Sequence, residues 1–434
     1  MRFQSTRDPS HATGLSEAIA RGLAPDGGLY VPETLPRLQV CDFGDSVDLP
    51  ELARRLIAPF ASGDPMAARL GEITRDAFNF PAPVVEVHGA GGPLSVLELF
   101  HGPTAAFKDF GARFLAATLE RIPRADPRRL TILVATSGDT GGAVAAAFFD
   151  RPWVDVVVLY PRGLVSPRQE KQLACWGRNV RTLSVAGTFD DCQRMVKEAF
   201  VDPALARSLL LSSANSINVG RLLPQMVYYA SASLELARRD GRPPNFVIPT
   251  GNLGNALACV WAREAGLPIG DILLASNANR TVPDFLGSGE WQPRPSVATL
   301  ASAMDVGNPS NMERLRWLFP AVEQLRGKVS AVSVGDEEIR AAIRRDRREL
   351  GQTWCPHTAT AAHAYRGLTP ARRTERWVLV ATAHPAKFND IVEPLIGESV
   401  PVPPALAALL ELPSVQTEVD PSLDALRSML AGTT

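Results

Sequence analysis

Lysine is scarce in this 434-residue chain: of 45 basic residues only Lys108, Lys171, Lys197, Lys328 and Lys387 are lysines. Arginine supplies nearly all the generic positive charge, and a guanidinium stays protonated, so it cannot act as an amine nucleophile. Any chemistry needing a neutral amine therefore falls on one of few positions. Charge of one sign is missing too. The 45 basic residues against 46 acidic ones leave a net −1, and no basic run gives the footprint of nucleic-acid binding. Long apolar runs are absent: no stretch reaches the ~18 residues of a membrane span, and MRFQSTRDPSHATG lacks a signal peptide's apolar core. The expected location is the cytoplasm, with neither nucleic acid nor membrane as partner. Cys41, Cys175, Cys192, Cys259 and Cys355 form no CxxC and no metal-ligand cluster with histidine, so buried free thiols and no metal site are expected.

What the chain does contain is a repeated alternation of apolar β-rich runs with helical stretches. TILVAT (131–136), DVVVLY (155–160), NFVIPT (245–250), DILLAS (271–276), VSAVSV (329–334) and WVLVAT (377–382) read as strands. Helical segments such as ALACVWAREAG and DEEIRAAIRRDRREL follow several of them, an order that predicts an α/β fold with parallel sheets. The first 85 or so residues read as helical with turns, and PVPPALAALLELP from 401 reads as a break, a short helix and a weakly structured tail.

Lys108 lies in LELFHGPTAAFKDFGARFLAATLE, near the start of a helix. The positive end of the helix dipole and the apolar neighbours Ala105, Ala106, Phe107 and Phe110 both disfavour an ammonium there. Two glycine-rich strand-to-helix turns accompany it: TSGDTGG (136–142) and TGNLGN (250–255). Such turns let several backbone N–H groups converge on an anion at a helix N-terminus. Neither matches GxGxxG followed by a strand-end acid, and no GxxxxGK[ST] occurs, so the anion belongs to neither a dinucleotide nor a P-loop nucleotide. An amine, an anion cup and a polar group at a strand's carboxyl end, here Thr382, are together what pyridoxal 5'-phosphate requires.

Over about 395 residues the ordered motifs STRDPS, GLAPDGGLYVPETLP, ELFHGPTAAFKDFGARF, TSGDTGGAV, YPRGLVSPRQEKQ, NSINVGRLLPQ, TGNLGN, VPDFLGSG, ATLASAMDVGNPSN, PHTATA and TAHPAKF resemble the threonine synthase family of tryptophan-synthase-β-like pyridoxal-phosphate enzymes. The resemblance implies two open parallel-sheet α/β domains with the active site between them, plus an N-terminal subdomain. The expected division is a mainly helical subdomain at 1–85, a large cofactor-binding domain at 86–127 and 220–400, a small domain at 128–219 and an extension at 401–434. It further implies that Lys108 is the Schiff-base lysine, that Gly251, Asn252, Leu253, Gly254 and Asn255 hold the cofactor phosphate, and that Thr382 meets the ring nitrogen. Ser137, Asp139 and Thr140, and likewise Asn215, Ser216, Asn218 and Arg221, are expected to face the substrate. Leu253 and Asn255 depart from the family's usual GNFGD loop, and Cys355 stands where an acidic residue is common. The implied reaction is conversion of O-phospho-L-homoserine and water to L-threonine and phosphate, by a monomer or homodimer. A phospho-lyase or serine/threonine dehydratase giving a 2-oxo acid stays open, as does a catalytically silent metabolite-binding relative. His101, His357 and His384 can either assist proton transfer or orient loops, and Arg162, Lys171 and Arg221 are candidate cations for the substrate phosphate.

Overall fold

The computed structural model describes residues 1–44, 47–123, 126, 128–136 and 138–431. Its strands, in chain order, are β1 (Phe3–Ser5), β2 (Ala12–Thr13), β3 (Tyr30–Pro32), β4 (Val84–Val87), β5 (Leu94–Glu98), β6 (Leu130–Ala135), β7 (Val154–Pro161), β8 (Val180–Val185), β9 (Leu210–Ser213), β10 (Asn245–Pro249), β11 (Ile272–Ser276), β12 (Ser330–Ser333), β13 (Trp377–Ala381) and β14 (Thr417–Val419).

They form three sheets. A six-stranded sheet has the order β12-β11-β10-β13-β5-β4, and a five-stranded one β14-β8-β7-β6-β9. All pairings in both are parallel except β4 with β5. The central strands are apolar on both faces because helices cover both sides of a parallel sheet: WVLVA of β13 and NFVIP of β10 are buried throughout. Parallel order also brings Thr250 and Thr382, which follow β10 and β13, to the same carboxyl edge.

Two sequence expectations are modified. The N-terminal region holds the helices Leu15–Arg21, Leu49–Ile57 and Leu70–Ala77, but also a small antiparallel sheet, β2-β1-β3. Its strands are too short to show a period. β4 also begins before residue 86 and belongs to the six-stranded sheet. The segment after 401 is not a loose tail: β14 pairs with β8, Thr417 opposite Leu183, and the helix Leu423–Ala431 buries Leu426 and Leu430. Among the described residues no helix is long and apolar enough to cross a membrane.

The helix Lys108–Arg121 positions the site. It is buried on nearly every side, from Asp109 and Phe110 to Leu119, because it packs against Leu70–Ala77, Asp139–Phe148 and Val219–Leu222. One continuous apolar core joins it to the N-terminal region and to both large sheets through Phe3, Leu56, Phe110, Leu115, Val134, Tyr228 and Ile248.

Candidate active site

The turn before Lys108 is built from side chains that fix its own backbone. Thr104 donates its N–H and hydroxyl to the two carboxylate oxygens of Asp109, at 2.8 and 2.6 Å. Gly102 is required at that point, since a Cβ there would lie 2.5 Å from Asp109 Oδ2. Ala105 adopts φ 54°, a left-handed conformation that costs a non-glycine residue about 1 kcal/mol. Main-chain bonds with the turn that follows the neighbouring strand β13 hold it: His384 N donates to Ala105 O at 3.0 Å and Phe107 N to Thr382 O at 2.8 Å. Lys108, the first helical residue, is thereby stitched to the turn that carries Thr382.

Electrostatics around the amine are dominated by burial, which brings Lys108 down to about 8. The charges of Lys387 and Arg221 push the same way, and Asp139 opposes them. Burial alone would raise Asp139, yet Lys387, Lys108 and His357 hold it well below the usual carboxylate range. Lys387 Nζ sits 2.9 Å from Asp139 Oδ1, both groups buried, and also donates to Thr104 O at 2.7 Å. Gln169 donates to the same carboxylate oxygen at 3.0 Å. Burial lowers His357 to about 4, so at neutral pH it is an acceptor, and its Nε2 receives Ala303 N at 3.1 Å. His384 is likewise lowered to about 4 and accepts from Ala386 N at 3.2 Å. Both imidazoles thus orient loops. His101 pairs with Glu98 at 2.8 Å.

The TGNLGN turn makes a cup. Leu253, buried at φ 61°, ψ −1°, caps the helix Gly254–Glu264 in the left-handed region and turns the chain into it. The N–H groups of Asn252, Leu253, Gly254 and Asn255 have no acceptor among the described residues, as expected of an anion site at a helix N-terminus. Asn252 braces the cup, donating to Ser216 Oγ at 2.6 Å and accepting Ser310 N at 2.5 Å. Gly251 lies against the Met304 backbone, which a Cβ would meet at 2.6 Å. Asn255 turns its side chain away into the core, where Oδ1 accepts the hydroxyls of Tyr228 at 2.6 Å and Tyr229 at 2.8 Å.

The remaining expected residues separate. Thr140 is the second residue of the helix Asp139–Phe148 and only partly buried; Ser137 lies outside the described residues. Asn215 Oδ1 and Arg221 Nε are buried without partners among the described residues, and burial brings Arg221 to about 10. Asn218 differs: its amide donates to Ile19 O and Ser213 O and caps Gly220 N, so its bonding capacity is spent on the fold. Asp139, expected to face substrate, is engaged by Lys387 and Gln169. Arg162 reaches Glu418 in an exposed pair. Lys387 was the residue that motif reading left without a role; its signal was the scarcity of lysine.

The donor set fits pyridoxal phosphate on three counts. An amine with lowered proton affinity is available for the aldehyde, four N–H groups free among the described residues for the phosphate, and, for the ring nitrogen, the hydroxyl of Thr382, a buried residue whose only hydrogen bond among the described residues is through its carbonyl.

Comparison with known proteins agrees. Family models described as pyridoxal-phosphate dependent enzyme, threonine synthase N terminus and threonine synthase C-terminal match residues 77–383, 2–78 and 358–430. The threonine synthases of Serratia marcescens and Escherichia coli K12 are each 40% identical, covering 100% and 99% of this chain and 99% of their own lengths. The crystal structure of the E. coli threonine synthase superposes with a TM-score of 0.91 over 100% of both chains. That of a pyridoxal-phosphate-bound threonine synthase from Brucella melitensis, 33% identical, gives 0.90 over 100% of this chain and 99% of that one. The chain belongs to the threonine synthase family of pyridoxal-phosphate-dependent enzymes.

Proposed function

We propose that the protein converts O-phospho-L-homoserine and water to L-threonine and phosphate, with Lys108 as the residue that holds pyridoxal phosphate covalently and moves the substrate's protons. The observation that carries this is the amine of half-buried Lys108, brought by desolvation to about 8, in a turn hydrogen-bonded to Thr382 and in a chain that matches threonine synthases end to end. When bound, the cofactor supplies a conjugated ring that accepts electron density from the substrate's Cα. With cofactor and substrate in place, Lys108 would take the Cα proton near neutral pH because its own proton affinity is low. It would then stand beside the carbon chain as a second proton leaves Cβ and phosphate departs from Cγ, a proton is delivered to Cγ to form the methyl group and water adds at Cβ, and it would return a proton to Cα.

Gly251 to Asn255 hold the cofactor phosphate through backbone N–H groups. Leu253 and Asn255 therefore serve as well as other side chains in the loop. Thr382, a neutral partner, leaves the ring nitrogen less cationic than a carboxylate would. Arg221, with Nε free among the described residues, Asn215, Ser216, Thr140 and Ser137 are the proposed contacts for substrate; Asn218 acts by holding the turn that carries Asn215, Ser216 and Arg221. The proposed setting is the cytoplasm, as a monomer or homodimer.

The test is product analysis with O-phospho-L-homoserine. Threonine and phosphate in equal amounts are expected, and 2-oxobutanoate without threonine would overturn the assignment in favour of a lyase. Lys108→Ala should abolish turnover with an unchanged circular dichroism spectrum; substantial residual turnover would mean that another lysine serves.

A further inference from the structure

We infer that Lys387 is a positioning residue that sets the proton affinity of the Lys108 amine by neutralising Asp139, the carboxylate that would otherwise keep that amine charged. The inference deepens the reading above, since it takes Lys108 to be the reactive amine.

Lys387 lies in the short 3-10 turn Pro385–Phe388 that follows β13, is completely buried and has two partners on two different elements. One is Asp139, at the N-terminus of the helix that follows β6 of the five-stranded sheet. The other is the carbonyl of Thr104, in Lys108's own turn, which also receives Gln172 Nε2 at 3.0 Å. The backbone around it is anchored in the same seam: Ser166 Oγ donates to Lys387 O at 3.1 Å, and Arg168 to Ala386 O. Lys387 thus ties the two sheets together at the point where Lys108 emerges.

Charge placement follows from those contacts. The groups that act on Lys108 are Asp139 from the neighbouring helix, Lys387 from the 3-10 turn and Arg221 from Val219–Leu222; His357, from Pro356–Arg366, is neutral near pH 7. Asp109, next in sequence, spends its carboxylate on Thr104. Asp139 is therefore the anion that acts on Lys108, and Lys387 its closest cation. An opposite charge nearby favours an ammonium, and a buried carboxylate stripped of its partner acts more strongly. Losing Lys387 both removes a repulsive charge and unmasks an attractive one, so both effects raise the pH at which Lys108 becomes nucleophilic.

The test reads that pH directly. Cofactor-free protein is labelled with a limiting amine-reactive anhydride over about pH 6 to 10, and modification at Lys108 is quantified by peptide mass spectrometry; the pH profile of threonine formation by the holoenzyme is recorded alongside. The parent should show a midpoint near 8. Lys387→Met should move it to about 9 or above, with the acidic limb of the rate profile moving the same way. Lys387→Arg, which keeps the charge, should stay near the parent, and Lys387→Met with Asp139→Asn should return toward it. An unchanged midpoint in folded Lys387→Met, or an equal rise in the double variant, overturns the inference. Should Lys387→Met fail to fold, Asp139→Asn alone decides: with the anion gone and Lys387 unpaired, the midpoint must fall below the parent's. Labelling needs neither cofactor nor turnover, so its outcome stands apart from whether the protein makes threonine.

Discussion

Gly251 and Gly254 occupy one loop, yet alanine should be damaging at the first and tolerated at the second. A Cβ at Gly251 would lie 2.6 Å from Met304 Cα, 3.0 Å from its carbonyl carbon and 2.8 Å from its oxygen. Ordinary contact begins near 3.4 Å, so about 0.8 Å must be found (3.4 minus 2.6). Met304 cannot easily yield it. Its neighbour Asp305 accepts Thr299 Oγ1 at 2.7 Å, Thr299 N at 3.0 Å and Asn277 Nδ2 at 2.7 Å, while Ala303 N is held by His357. The strain therefore goes into the cup. Overpacking of this kind costs about 1–3 kcal/mol, and if it falls on the bound geometry it weakens cofactor binding by roughly 5- to 150-fold. At Gly254 the nearest atoms are Asn311 Nδ2 and Ser216 Cβ, both at 3.5 Å, so the cofactor-free protein should change by less than about 0.5 kcal/mol. The assay is titration of cofactor-free protein with pyridoxal phosphate, followed by absorbance, with calorimetry on each variant. Gly251→Ala binding and unfolding like the parent, or Gly254→Ala losing as much stability, would refute the argument.

Asn255→Ala leaves the Tyr229 hydroxyl without its acceptor, a cost of about 1–3 kcal/mol in chemical denaturation. The cost should shrink by at least about 0.5 kcal/mol in a Tyr229→Phe background, and an additive pair would show that the bond contributes nothing. His357 has a folded value of about 4 against 6.5, so it contributes stability above pH 6.5 that is lost as pH falls toward 4, about 3 kcal/mol in all. His357→Asn should flatten the decline of the denaturation midpoint over that range, and an unchanged slope would refute it. Ending the chain at Gln416 removes β14 and the last helix, and with them the ion pair of Arg427 with Asp202 and the cover over Leu183 and Val185. Limited proteolysis should then open residues 180–201 first while the six-stranded sheet resists; simultaneous cleavage of both sheets would contradict this.

Of the strands that the sequence displayed, all but the mostly exposed edge strand β12 are largely buried on both faces. NFVIP, ILLAS and WVLVA carry their own signal because helices cover them on either side. β14 carries none: TEV is short, two-thirds exposed and a strand only because Leu183 to Val185 lie alongside. β1 to β3 are equally short and defined by pairing across the chain. Within the site, Lys108 and the TGNLGN cup were legible because glycine, helix start and lysine are local features. The assignments of Lys387, Asp139 and Asn218 were not, since each depends on partners 30 to 283 residues away in the chain, such as Gln169 for Asp139, Thr104 for Lys387 and Ile19 for Asn218. Asn255 read as a neutral phosphate neighbour, whereas its side chain serves two buried tyrosines on another helix.

The bonds from Phe107 to Thr382 and from His384 to Ala105 also order events in time. A ribosome emits residue 108 long before residue 382, and until β13 docks, nothing holds Ala105 in its left-handed conformation or packs the Thr382 turn against the residues before the amine. During that interval Lys108 is an ordinary, protonated surface lysine. Its nucleophilicity is acquired late, on completion of the fold, so an unfinished or misfolded chain carries no activated amine to react with aldehydes.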